Sequence, residues 1–456
     1  MSTHPKLFGT DGVRGVANRE PITSETALRL GRALAYAFRH NGGRHRRILI
    51  GKDTRLSGYM LETALESGIC SMGVDVWLIG PLPTPGIAFL TRSMRADAGV
   101  VISASHNPFQ DNGIKFFSSD GFKLDDEVET RIEALVFDDA ELLSHRAEAH
   151  DIGKAARIDD ALGRYLVFLK TCVPRTVTFD GLRVVIDCAN GAGYKVGPDA
   201  LEELGADVIA INNDPDGTNI NRDCGAVHID GLRRRVLEER AHVGIALDGD
   251  ADRALFIDDK GELFDGDDVM AVFGLKLAAE GRLHANTVVA SVMSNFGLEI
   301  ALRSGGVRLV RTDVGDPAVA REMRQHSYSV GGEQSGHVIF MDCATTGDGL
   351  LTALLLLSSM VEYGKALSDM RVMRRVPQVL ENVRVARRVP LAEMPEVQRM
   401  IAAAESRLSG NGRLLVRYSG TEMLARVMVE GEDESHITML AKEIGAAILR
   451  STGSPS

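Results

Sequence analysis

The sequence predicts an α/β protein: three similar mixed α/β domains and then a smaller α+β C-terminal domain, around one central cleft. Two observations predict this. A strand, helix, glycine, strand unit occurs three times, and glycine closing a helix before a strand is the βαβ pattern. From about residue 373 the pattern changes to strand, helix, strand, strand, helix. A chain of 456 residues has room for about three or four domains. The predicted boundaries are 1–155, 156–258, 259–372 and 373–456.

In the first unit a strand over 47–50 meets the polar loop Gly51-Lys52-Asp53-Thr54-Arg55. A helix over 57–72, Gly73 and a strand over 74–79 follow. The second unit has a strand over 182–187, the loop Asn190-Gly191-Ala192-Gly193, a helix over 196–204, Gly205 and a strand over 207–211. The third has a strand over 287–291, the loop Asn295-Phe296-Gly297, a helix ending near 303, Gly305-Gly306 and a strand over 307–310. The C-terminal domain reads as strand 379–385, helix 394–408, strands 413–417 and 424–430, and helix 435–449.

Each α/β unit has one more short apolar strand that ends in an unusual loop. Strand 98–102 runs into Ser103-Ala104-Ser105-His106-Asn107-Pro108, and strand 243–247 into Asp248-Gly249-Asp250-Ala251-Asp252-Arg253. Strand 328–330 runs into Gly331-Gly332-Glu333-Gln334-Ser335-Gly336-His337. Ligands in α/β proteins bind at the carboxyl ends of strands. One scaffold presenting three different loops at matching ends therefore predicts one cleft lined by all three.

Hydrophobic residues make up 44% of the chain and charged residues 25%, as in ordinary soluble proteins. The net charge of -11 argues against nonspecific attraction to nucleic acid or anionic membrane. An anionic substrate then needs local basic groups or a metal. The five cysteines are scattered without zinc or redox spacing, which fits a reducing cytoplasm. Residues 1–9 lack the apolar core of a signal peptide. The longest apolar run, 350–361, contains Thr352, Ser358 and Ser359 and is too short to span a bilayer, so it reads as a core helix.

The loop chemistry is more specific. Ser105 at a strand end can accept or deliver a phosphoryl group; the simpler alternative is an ordinary Asn-Pro turn. Asp248, Asp250 and Asp252 alternate with small residues, so a tight loop can aim three carboxylates at one point. Such charges repel unless a cation sits among them. Hard oxygen ligands favour magnesium or calcium. An EF-hand needs Gly at the sixth position and Glu at the twelfth, where this chain has Arg253 and Asp259, and its flanks are strands. Magnesium keeps few protein ligands, and a phosphate on Ser105 would supply another. A solvated acidic turn is the alternative.

Arg14, in Phe8-Gly-Thr-Asp-Gly-Val-Arg-Gly15, offers a planar donor to phosphate. Lys115 follows the serine loop and could lower a hydroxyl's basicity or act as a base if desolvated, or be a plain surface lysine. Glu333, Ser335 and His337 offer an acceptor, a donor and a titratable group, suited to sugar hydroxyls or an amine. Arg417-Tyr418-Ser419-Gly420-Thr421 can form a phosphate nest, with Arg426 as a second donor. Asn190-Gly-Ala-Gly193 mimics a dinucleotide fingerprint, but its third glycine falls at Gly197, one place too late.

Taken together, these motifs resemble those of the α-D-phosphohexomutases, in the right order from Phe8 to about Glu432. The resemblance implies a four-domain isomerase with Ser105 as phosphoserine and one Mg²⁺ per chain on Asp248, Asp250, Asp252 and the Ser105 group. It implies that Glu333 and Ser335 contact sugar hydroxyls and that Arg417, Ser419, Gly420, Thr421 and Arg426 hold substrate phosphate. Lys115 and His337 become the proton-transfer candidates, with Arg14, His106 and Arg253 as further catalytic groups. The implied reaction interconverts glucosamine 6-phosphate and glucosamine 1-phosphate through a bound bisphosphate, with a hexosamine bisphosphate as primer, in a cytoplasmic monomer or homodimer. Mannose or glucose phosphates are the alternative substrates. An aspartyl-phosphate phosphatase using Asp248, or a noncatalytic sugar-phosphate binder, are alternatives of another class. The chain departs from the family pattern at Ala251, where glycine is usual, at Asp313 and Pro317, which lack the usual basic residues, and at Tyr418 and Met423.

Overall fold

The computed structural model describes residues 6–9, 11–38, 46–419 and 423–453. It divides into two compact units, Met1–Val292 with Val310–Arg371, and Met293–Leu309 with Val372–Ser456.

In the first unit the same three-stranded arrangement is built three times. Ala98–Ile102 lies parallel to Arg47–Lys52 and antiparallel to the returning strand Asp111–Ser118. Val243–Leu247 lies parallel to Arg183–Asp187 and antiparallel to Ala254–Asp258. Val330–Gly332 lies parallel to Thr287–Ser291 and antiparallel to Val338–Phe340. The three unusual loops are thus the connections of three hairpins. All five residues of Ala98–Ile102 and of Val243–Leu247 are buried, which is why these strands read as continuous apolar runs rather than alternating ones.

Additional strands complete the sheets. The first sheet has the order Val13–Val16, Asp111–Ser118, Ala98–Ile102, Arg47–Lys52, Asp75–Pro81, Ala155–Arg157. Sequence alone predicts a glycine-rich turn around Arg14. The structure instead places Arg14 on the strand Val13–Val16, opposite Gly113. Four residues containing a glycine are too few to show a period of two. The strand expected over 328–330 is Val330–Gly332; two of its three residues are glycines, which strand propensity disfavours.

The second unit holds the antiparallel sheet Gln378–Arg384, Leu424–Gly431, Gly412–Tyr418, with helices Pro395–Leu408 and Glu434–Thr452 packed on one face. Helix Phe296–Ser304 belongs to this unit. Asn295 ties it in: its Nδ2 donates to Glu430 Oε1 at 3.0 Å and to the Val376 carbonyl at 3.0 Å. Among the described residues, no helix is long and apolar enough to cross a membrane.

Helices Ser24–Phe38 and Ser57–Cys70 cross closely over the first sheet, and Gly68 makes the crossing possible. A Cβ there would run into the Leu28 carbonyl oxygen, a backbone atom that cannot rotate away. Gly68→Ala is therefore expected to cost about 1–3 kcal/mol. Gly231→Ala, in a helix with open space around that position, should be neutral or stabilising by up to about 1 kcal/mol. Denaturant titration of the two variants checks the contrast.

Candidate active site and metal centre

The serine and acid loops meet inside the first unit. The Ser105 hydroxyl donates to Asp248 Oδ2 at 2.6 Å. Ser105 is 1% exposed and sits in the left-handed backbone region, with φ of +52°. Its amide donates to Ser103 Oγ at 2.9 Å, and that hydroxyl donates to Asp53 Oδ2 at 2.6 Å. Gly249 lets the loops approach: a Cβ there would lie 2.5 Å from the Ser105 carbonyl oxygen. Ala251 also has positive φ, +55°, which explains why its place suits glycine; alanine accepts this at a cost of roughly 1–2 kcal/mol.

Asp248, Asp250 and Asp252 are buried, and each offers an oxygen within 4.8 Å of the others. Burial pushes the Asp248 carboxyl well up, and the Asp252 and Asp250 charges push it further. For Asp250 burial acts the same way, but Lys115 and the hydroxyl of Thr84, 2.7 Å away, outweigh it and bring it below its usual value. Asp250 Oδ1 and Asp252 Oδ1 are buried without a hydrogen-bond partner. Unsatisfied carboxylate oxygens converging with like charges fit a hard divalent cation, and Mg²⁺ suits the all-oxygen set.

Lys115 lies on the returning strand Asp111–Ser118, 1% exposed. Its ammonium donates to Asp250 Oδ2 at 2.9 Å and pairs with Asp11 Oδ2 at 3.1 Å. Burial alone would push it down, but the Asp11, Asp250 and Asp252 charges outweigh burial and push it well up. This corrects one expectation: Lys115 is no surface lysine. Lys123 extends the pattern, pairing with both Asp11 and Asp316. The result is an alternating chain, Asp316, Lys123, Asp11, Lys115, Asp250. Arg14 also pairs with Asp11 and reaches the Ala104 carbonyl at 3.5 Å.

His337, a proton-transfer candidate from sequence, has a ring that is 1% exposed. Burial alone would push its proton affinity down, but the Asp252 and Asp316 charges outweigh burial and push it up. The Gly347 amide donates to Nε2 at 3.0 Å, which places the ring proton on Nδ1, facing Asp252 Oδ2 at 3.6 Å. This imidazole braces an acid of the cluster. His106 is half-buried, with Nδ1 3.4 Å from Ser105 Oγ and 3.5 Å from an Arg253 nitrogen. Burial, then Arg253 and Arg14, push its proton affinity down. The Arg253 amide donates to Asp248 Oδ1 at 3.2 Å.

In the third hairpin, Glu333 Oε1 accepts from the Gly315 amide at 3.0 Å, while Ser335 is exposed. In the second unit, Arg417 and Arg426 stand directly opposite across an antiparallel pair. The strand register thus brings these two sequence-predicted phosphate-binding residues to matching positions. Arg417 Nη2 also reaches Met293 Sδ at 3.6 Å, and Arg388 donates to the Ser419 carbonyl at 2.7 Å. Gly420 and Thr421 lie outside the described residues.

Sequence reasoning missed Arg55, Asn221, Lys123 and Arg388. Arg55 was visible only as the last residue of a polar loop. Asn221 lies 116 positions from Ser105, and no local pattern marks it.

Family models for phosphoglucomutase/phosphomannomutase match the whole architecture: α/β/α domain I over 5–142, domain II over 164–261, domain III over 265–376 and the C-terminal domain over 380–447. The chain belongs to the phosphoglucomutase/phosphomannomutase family. A phosphoglucosamine mutase of Syntrophotalea carbinolica is 58% identical over 449 residues, covering 98% of each chain. One of Anaeromyxobacter dehalogenans is 59% identical over 456 residues, covering 98% of this chain and 99% of its own. A solved phosphoglucomutase/phosphomannomutase family protein of Burkholderia thailandensis has this fold, with a TM-score of 0.83 at 21% identity and 99% coverage of both chains.

For this member of the phosphoglucomutase/phosphomannomutase family, Asp248→Asn tests the metal assignment. It removes one of three mutually repelling carboxylates and can still bond Ser105. In EDTA the variant should be at least as stable as the unmodified chain. Mg²⁺ at 100 times its dissociation constant should stabilise the unmodified chain by about 2.7 kcal/mol, and the variant distinctly less at the same concentration. Thermal unfolding with and without Mg²⁺ measures both.

Proposed function

We propose that this chain interconverts glucosamine 6-phosphate and glucosamine 1-phosphate. The observation that carries the reading is the Ser105 hydroxyl, 2.6 Å from a carboxylate of the buried acid cluster. Relatives at 58% and 59% identity over nearly the whole chain are phosphoglucosamine mutases, which supports the amino sugar over mannose or glucose.

Ser105 carries a phosphoryl group and passes it to the free hydroxyl of the sugar phosphate. The bond from phosphorus to Ser105 Oγ breaks as the bond to the sugar oxygen forms, and the sugar hydroxyl's proton ends on Ser105 Oγ, giving a bisphosphate and a free serine hydroxyl. The bisphosphate turns over and returns its other phosphoryl group to Ser105. Such transfer depends mostly on positioning and charge neutralisation. Asp248, Asp250 and Asp252 would hold Mg²⁺, which when bound would supply positive charge near the phosphoryl oxygens. Lys115, held as an ammonium, adds positive charge beside the acid cluster. Arg253 and His106 flank the transferring group, and Arg14 steadies the serine loop through Ala104. Glu333 and Ser335 meet the sugar, with the Gly315 amide fixing one Glu333 oxygen. The loop from Arg417, with Arg426, holds the phosphate that is not being transferred. A hexosamine bisphosphate primes a chain that lacks phosphate on Ser105. The setting is cytoplasmic, which suits five free thiols.

Two measurements test this. In a coupled mutase assay with Mg²⁺ and a bisphosphate primer, Ser105→Ala should fall to background, and the unmodified chain should show its highest kcat/KM with glucosamine phosphate. Intact-mass and peptide analysis should find one phosphate, on Ser105. Label on Asp248 would instead support a phosphatase, and full activity of Ser105→Ala would end the scheme.

A further inference from the structure

The left-handed serine is held from two α/β domains at once. Arg55, on the loop after Arg47–Lys52, is fully buried, and its guanidinium pairs with Asp53. Its Nη2 donates to the Ser105 carbonyl at 3.1 Å and to the Asn107 carbonyl at 2.6 Å. Asn221, from the second α/β domain, is 7% exposed and donates from Nδ2 to the same two carbonyls, each at 2.9 Å. Both targets are carbonyl oxygens, so the amide nitrogen must be the atom that faces them.

Two donors on two acceptors make a closed four-point clamp. Ser105 and Asn107 flank His106, and their carbonyls converge only while the loop keeps its tight turn. In an extended serine they would diverge. Arg55 also leans on Ser103 Oγ at 3.4 Å, the hydroxyl that receives the Ser105 amide. The clamp therefore fixes the backbone on both sides of the reacting side chain.

We propose that Arg55 and Asn221 are positioning residues for phosphoryl transfer, locking Ser105 in the conformation that aims its oxygen at the acid cluster. The inference rests on the mutase reading. A small misplacement of a reacting atom can cost about 100-fold in rate. A loosened serine loop also gives water a longer chance at the phosphoserine. The clamp should thus set both the transfer rate and its fidelity.

Asn221→Gly is the cleanest test in the full chain. Asn221 has a φ of +58°, which glycine adopts without strain, so the substitution removes the side chain and its amide donor while the backbone conformation stays accessible. We expect kcat to fall about 10- to 100-fold and KM for glucosamine 6-phosphate to stay within about threefold. Inorganic phosphate released per mutase turnover should rise, and the unfolding midpoint should stay near that of the unmodified chain. Arg55→Lys should behave alike, since one ammonium cannot both pair with Asp53 and reach the two carbonyls as the separate Nη1 and Nη2 of the guanidinium do. Asn221→Gly with unchanged kcat and unchanged phosphate release would overturn the assignment. So would a rise in KM alone, or a variant that no longer folds, which would make the residue structural. An unmodified chain without mutase turnover would sink the mutase reading instead.

Discussion

The 2.6 Å hydrogen bond from Ser105 to Asp248 is the constraint around which the first unit is organised. It joins hairpin loops of two different sheets, and such an approach is sterically difficult. One loop must place a serine in the left-handed region. The other must present Gly249 bare against the Ser105 carbonyl and turn left-handed at Ala251. Each non-glycine residue so placed costs roughly 1–2 kcal/mol. Such strain persists only where the surroundings over-determine it. Here they do: the Ser105 amide and carbonyl are both bonded, and Asp248 accepts from the hydroxyl and from the Arg253 amide.

Charge is handled by the same economy. The chain is acidic as a whole, yet the site alternates sign from Asp316 through Lys123, Asp11 and Lys115 to Asp250. Buried ions are tolerable when each has a partner. Asp250 has Lys115 and Asp252 has Arg253 and the His337 ring nearby, whereas Asp248 has only neutral donors at hydrogen-bond distance. Burial, then the Asp252 and Asp250 charges, push the Asp248 carboxyl up. A divalent cation among the three carboxylates would offset their mutual repulsion.

Much of this was legible in the sequence because it is local. The strands Ala98–Ile102 and Val243–Leu247 are buried on both faces and stand out as apolar runs, and Asp248, Asp250 and Asp252 carry their geometry in their spacing. What was illegible depends on distant partners. Lys115 precedes Phe116 and Phe117 and resembles a surface residue until the returning strand carries it back onto Asp250. His337 looks reactive from its neighbours but is enclosed by Gly347 and Asp252. The Asn221 contact spans 116 positions.

The three hairpins also explain why one scaffold can carry unlike chemistries. Each connection joins a parallel strand to an antiparallel return, so both of its ends are fixed by ladder hydrogen bonds. A loop anchored at both ends can change its side chains without moving its base. Serine, three aspartates, and Glu333 with His337 then become alternative fillings of one rigid frame. The returning strand adds a second row of side chains beneath the loop, and Lys115 comes from that row. The C-terminal sheet follows a different logic. There Arg417 and Arg426 stand opposite each other on paired antiparallel strands. The hairpin frames place their side chains through loop geometry, whereas on this sheet strand register alone sets two arginines opposite each other.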